Sequence, residues 1–311
     1  MEKPDGVETF LTEAYSLLTQ RELSSAAAML DQALSADFDH AEVLYALKCS
    51  AWWLDALERA GSRKNAFESG EHILERWKAF SLFAARTPGA VERTNQAYRR
   101  FAFGYALDRY REYAAEGDGT DAELMLRIGI AHKGLGDFDG AARSLEAAAK
   151  ARRDDPAILA QLADAYDLLG DQRASKALFR EAFLLNPQKV DLELLESPSV
   201  ERMRAMAQDG GRTGPEIAEW IPVLGELSGV FSVKRELKPI EASKLRQSVY
   251  ELETELSSDG SRRPFVLPRL INRYFWLIDH SLARREDRSK VDELLRKIKL
   301  LDANVYRQYI A

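Results

Sequence analysis

Apolar residues recur at intervals of three and four along most of this chain, and between residues 122 and 189 they do so twice in the same order. In the first stretch Met125, Ile128, Gly129 and His132 share one face of a predicted helix. Gly136-Asp137 ends that helix, and Ala141, Leu145 and Ala148 line a second one. The second stretch places Leu159, Leu162, Ala163 and Tyr166, then Phe179 and Ala182, on the same faces, and it closes at Asn186-Pro187. Ala131, Leu135, Gly136, Asp137 and Ala148 return unchanged 34 residues later as Ala165, Leu169, Gly170, Asp171 and Ala182. A period of that length, with small residues inside apolar helices, predicts a helical repeat array. Gly129 against Ala163, and Ala148 against Ala182, are where helix backbones can approach closely. Gly136 and Gly170 suit the left-handed residue that closes a helix.

Outside these two units the pattern stays helical but loses the period. Three long helices are predicted over Ala41 to Ala60, Asn65 to Arg86 and Gly89 to Glu116, separated at Gly61-Ser62 and Thr87-Pro88. They carry Trp52, Trp53, Phe67, Trp77, Phe80, Phe83, Tyr98, Phe101, Phe103, Tyr105, Tyr110 and Tyr113. Rings at helical spacing fill the gaps between long helices, or they line an aromatic pocket. Trp52 and Trp53 are adjacent and point about 100° apart on a helix, so one of them is a candidate anchor for a partner. After Lys189 come short helices over Ser199 to Gln208 and Pro215 to Leu224, with Val230 to Val233 as the one plausible strand. From Pro239 onward helices are predicted at Ile240 to Leu256, Pro264 to Ala283, Ser289 to Leu300 and Ala303 to Tyr309. The second of these, with Leu267, Leu270, Ile271, Tyr274, Phe275, Leu277 and Ile278, is apolar nearly all round. It needs burial under its neighbours or in an interface that includes Phe275 and Trp276.

The two units resemble the tetratricopeptide repeat family. The family pattern has a large apolar residue, a small one four later, an aromatic three beyond that, Gly-Asp at the turn, Ala and an aromatic in the second helix, and a closing Pro. The unit at 156–189 departs from it at Gln172 and Ser175, and the unit at 122–155 has Arg153 in place of the Pro. A weaker match over residues 7–40 uses Phe10, Ala14, Leu17, Leu23, Ala26, Leu30 and Ala33, with Arg21-Glu22 at the turn. The resemblance implies an all-α fold, an α-solenoid of antiparallel helix pairs. Residues 1–189 would form the array, with the irregular long helices at 41–117 inside it. Residues 190–238 would be a connector and 239–311 a helical cap. The resemblance also implies a concave groove that holds a peptide or helix of another protein. Carried over by position, its lining is Thr12 and Tyr15, then Arg127, Ile130 and Lys133, then Gln161, Asp164 and Asp167. Family members that grip a terminal carboxylate use Lys and Asn at positions filled here by Leu126, Ile130, Ala160 and Asp164, so that clamp is absent.

Composition narrows the function classes. One cysteine, Cys49, allows no internal disulfide and points to a reducing compartment. The start shows neither a basic leader nor an apolar run, and no apolar stretch reaches the roughly 18 residues of a spanning helix, so a cytoplasmic location is expected. Residues 262–311 hold 12 Lys and Arg against 6 Asp and Glu, a local net of +6. The whole chain is −6, so residues 1–261 carry −12. That asymmetry could steer an acidic protein or pair two copies. Nucleic acid is disfavoured because Arg284, Arg285, Arg288 and Lys290 alternate with Glu286, Asp287, Asp292 and Glu293.

Catalytic and metal chemistry find little support. His40, His72, His132 and His280 lie far apart with no zinc-ligand spacing. His132 takes the packing position of Tyr166, and Asp137-Phe138-Asp139-Gly140 lacks the Glu of a calcium loop. No cofactor or metal is expected. The leading expectation is a non-enzymatic scaffold or adaptor. The alternatives are a structural, self-associating subunit of a larger bacterial assembly, and an enzyme with its site among the middle aromatics.

Overall fold

The structure, a computed structural model, describes residues 5–117, 121–258 and 260–311. Among these residues every regular element is a helix, so the all-α class is what the chain adopts. The chain divides into two compact units, Met1–Ala151 and Arg152–Ala311. The expected boundary at 189 follows the end of the 34-residue period, and that at 238 follows the return of long helices from Pro239. Packing instead groups the second repeat with everything after it.

The first unit opens with a helix pair, α1 (Asp5–Thr19) and α2 (Leu23–Ala36), sealed by Leu11, Ala14, Leu18, Leu23, Ala26, Leu30 and Ala33. The three long helices follow as α3 (Ala41–Gly61), α4 (Ala66–Arg86) and α5 (Glu92–Glu116). His40 and Asn65 side chains accept the Val43 and Glu68 amides and start α3 and α4. The third helix begins three residues later than its pattern suggests, because Gly89 takes a left-handed φ of 76° in the turn after Pro88. Between these helices the rings form one cluster. Trp53 is fully buried, with Phe80 and Phe101 at centroid distances of 5.3 and 5.7 Å, and Trp77 meets Phe103 edge-on at 5.3 Å. The unit ends with α6 (Ala122–Gly134) and α7 (Phe138–Ala151). A Cβ on Gly129 would stand 2.5 Å from Leu145 Cγ, so the missing side chain is what lets these two helices close together.

The second unit starts with α8 (Pro156–Leu168) and α9 (Gln172–Leu185). Short 3-10 turns follow at Pro187–Lys189 and Leu192–Leu194, then α10 (Pro198–Asp209) and α11 (Glu216–Leu227). It continues with α12 (Pro239–Ser258), α13 (Arg263–Ala283), α14 (Arg288–Leu301) and α15 (Ala303–Ile310). Helix α13 lies under α11, α12 and α14, which accounts for apolar residues on nearly every side of it. The proposed strand at Val230 to Val233 does not form. The Phe231 amide donates to the Gly225 carbonyl (3.0 Å), folding this stretch back on α11, and the Phe231 ring packs between Phe179 and Phe183. With its backbone bonded to a helix end and its side chain in the core, the segment has no neighbour to pair with.

Buried charge also fastens this unit. Arg180 on α9 is bonded to Asp279 on α13 and lies 3.5 Å from Glu226 on α11. Lys234, from the irregular stretch, reaches Asp279 at 2.5 Å and Glu226 at 3.5 Å. Burial pushes the Glu226 carboxyl above the ordinary range, and Arg180 pulls against it.

Candidate partner-binding site

The Gly-Asp turn shows how two residues build a repeat. In α6 the Asp137 amide donates to the His132 carbonyl (3.0 Å) and the Gly136 amide to Lys133 (2.9 Å), with Gly136 at φ 82°. This pair of bonds satisfies the last carbonyls of the helix. The Asp137 carboxylate then accepts the Gly140 amide (2.9 Å) at the start of α7, and its other oxygen meets His132 Nδ1 at 2.7 Å. Burial holds the His132 imidazole below its ordinary value even beside Asp137, as befits a packing residue. The second unit repeats the arrangement: Asp171 bonds Tyr166 (2.9 Å), Gly170 bonds Asp167 (3.0 Å), and Asp171 caps Ala174 (3.0 Å). Residues 156–189 match the family model of the tetratricopeptide repeat. The chain contains a tetratricopeptide repeat. No curated protein matches the chain.

The residues that the tetratricopeptide pattern assigns to a groove are largely engaged within their own unit. Thr12 is exposed on α1. Tyr15 donates to Glu42 (2.7 Å), stands 2.7 Å from the Thr94 hydroxyl and lies under Arg93; burial raises its phenol well above the ordinary range. Arg127 is paired with Glu71 (2.8 Å) and Glu123 (2.9 Å). Ile130 and Lys133 are buried, as are Gln161, Asp164 and Asp167. Asp164 and Asp167 bond to Glu196 and Ser197 of the same unit. Phe275 and Trp276 are buried in the core of the second unit, Phe275 stacked on Tyr309 at 4.4 Å and Trp276 under Arg180 at 4.3 Å, so neither presents a surface. Trp53 is internal too. Trp52 is half-buried and capped by Arg76, 4.1 Å above its ring.

An open cleft lies instead on the α4–α5 hairpin. Helix α6 has 13 residues against 21 and 25 in α4 and α5, and it ends where the Arg99 Nε donates to the Gly134 carbonyl (2.8 Å). Nearer the turn that joins α4 to α5 lies a cleft of about 470 Å³. Half-buried Trp77 supplies its aromatic wall, backed by the fully buried ring of Phe80. Ser81, Thr87, Asn95 and Gln96 supply hydroxyls and amides, and Ala84 and Ala85 keep it shallow. Tyr45 donates to Asn95 Oδ1 (2.6 Å), which fixes the amide plane and sets its Nδ2 donor on the opposite side. Gln96 is steadied by Glu92 at 2.6 Å. The ionisable side chains in the lining are Glu92 and Arg99.

A ring face beside amide and hydroxyl groups suits an apolar side chain whose flanking peptide groups need partners. Ser81, Asn95 and Gln96 escaped the sequence reading. Ser81 stands four residues after Trp77, and Asn95 and Gln96 three and four after Glu92, but which face of α4–α5 is uncovered depends on where α6 stops. Among the described residues, no helix is long and apolar enough to cross a membrane.

Proposed function

We propose that this chain is a non-enzymatic protein-interaction adaptor of the cytoplasm, and that the α4–α5 cleft holds an extended segment of another protein. The observation that carries this reading is the joining of half-buried Trp77 to the hydrogen-bonded amides of Asn95 and Gln96 in one open cleft. The presence of a tetratricopeptide repeat supports a protein as the partner. Of the groove positions named by the repeat pattern, Thr12, exposed on α1 of the same unit, would extend the contact.

The test uses the full chain to select peptides from a random displayed library, followed by titration of a labelled hit. Ala85→Arg and Gln96→Arg fill the cleft from exposed positions. Affinity is expected to fall at least tenfold in both, and to be unchanged in Leu300→Arg, which alters an exposed residue of α14. Equal affinity in all three proteins places the partner elsewhere.

A further inference from the structure

Two arginines of the first unit are held in place without a carboxylate. Arg21, Arg59, Arg93, Arg109 and Arg127 each lie within 3.0 Å of an acid. Among the described residues Arg63 and Arg76 have no such partner, and a neutral group engages each instead. Arg63, in the turn between α3 and α4, donates its Nη2 to His72 Nδ1 at 2.8 Å. A guanidinium only donates, so the buried imidazole is the acceptor and keeps its proton on Nε2, towards the Ala56 carbonyl of α3. Burial and the charges of Arg63 and Arg76 hold His72 below its ordinary value, while Glu75 and the Ala56 carbonyl pull the other way.

Arg76 stands one turn after His72 on α4, 4.1 Å above the half-buried ring of Trp52. Its Nε is buried without a hydrogen-bond partner, and its terminal nitrogens have none among the described residues. An imidazole lone pair and an indole face fix a guanidinium in position and leave its charge uncompensated. Both guanidiniums act on the same imidazole, so they make a doubly positive spot on a chain whose net charge is −6. One carboxylate would balance half of it. A phosphate monoester, with about two negative charges at neutral pH and three acceptor oxygens, balances it whole.

We propose that Arg63 and Arg76, held by His72 and Trp52, form a binding site for a phosphate monoester on the α3 side of α4. Glu75, exposed beside Arg76, repels the anion and limits its affinity. The site shares no residue with the lining of the α4–α5 cleft, so the two stand or fall separately.

Calorimetric titration of the full chain with inorganic phosphate at constant ionic strength tests this. One saturable site is expected, at least tenfold weaker in Arg63→Gln and Arg76→Gln and severalfold tighter in Glu75→Gln. Arg284→Gln removes the same charge from an exposed position in the other unit and should change nothing. Absence of saturable binding, equal affinity for acetate, or equal weakening by Arg284→Gln overturns the proposal. Should Arg76→Gln fail to fold, exposed Arg63 decides. A phosphoserine pentapeptide and glycerol phosphate are then compared on the unaltered protein. Tighter binding of the first assigns the phosphate to a modified protein, tighter binding of the second to a small metabolite, and failure of both to bind overturns the site.

Discussion

At the scale of single residues, the helix turns show both what the repeat pattern requires and where it is compromised. Arg21 occupies the place of Gly136 and Gly170, at φ 67°, and Glu22 the place of the capping Asp. The backbone bonds are the same, Glu22 to Leu17 at 2.9 Å and Arg21 to Leu18 at 3.0 Å, but Glu22 makes no side-chain cap to α2. Glu22→Asp should therefore stabilise the chain by about 1 kcal/mol, read as a raised midpoint in chemical denaturation. Arg21 is less simply replaced, since it pairs with Asp108 at 2.9 Å. Cys49 is fully buried, and burial pushes its thiol up to about 12. A thiol-specific reagent at neutral pH should leave it unmodified in the folded chain and label it at once in denaturant. For Glu42, burial pushes the carboxyl upward, but bonds from Arg93 and Tyr15 outweigh it and hold it below the ordinary value. A depressed carboxyl stabilises the fold above its unfolded value and loses that effect as the pH falls. Arg93→Ala should thus cost at most about 1 kcal/mol at neutral pH, since the pair is partly exposed, and nothing in strong acid. A denaturation series across pH would show the two curves converge.

At the scale of elements, helices were legible and their company was not. The long helices, the repeat pairs and the four helices after Pro239 all appear within a few residues of their patterns, because three- and four-residue spacing and Gly-Pro breaks act locally. The run at Val230 to Val233 is no more than a plausible strand from its residues because β-branched and aromatic residues also serve as a core plug, and only tertiary contacts decide between the two. The Arg180, Glu226, Lys234 and Asp279 cluster joins α9, α11, an irregular stretch and α13, and nothing in the separate segments marks these residues as partners. Removing one member of a buried pair leaves the other charge uncompensated. Asp279→Ala should accordingly destabilise the second unit by about 3–5 kcal/mol. A loss below about 1 kcal/mol, the range of exposed pairs, would show that water reaches the cluster.

For the whole molecule, each unit has its own core, one built on Trp53, Phe80 and Phe101 and the other on Phe231, Tyr274 and Phe275. Denaturant should therefore unfold the chain in two stages. Phe101→Ala is expected to move one stage and Phe275→Ala the other, each by about 3–5 kcal/mol. A single transition shifted alike by both would mean that the cores melt together. The 34-residue period points to one continuous array, yet the division falls inside it, because α9 gives Phe179 and Phe183 to the later core. The acidic pair on α8 carries a last consequence. If residues 156–189 were copied once more in tandem, only the final copy could meet Glu196 and Ser197, and the earlier copy would be left with two carboxylates facing a neighbour that offers them no amides. Asp164 and Asp167 thus act as a stop mark written into the last unit, and anyone lengthening the array would first have to restore Ile and Lys, the pair found at 130 and 133, in every copy but the final one.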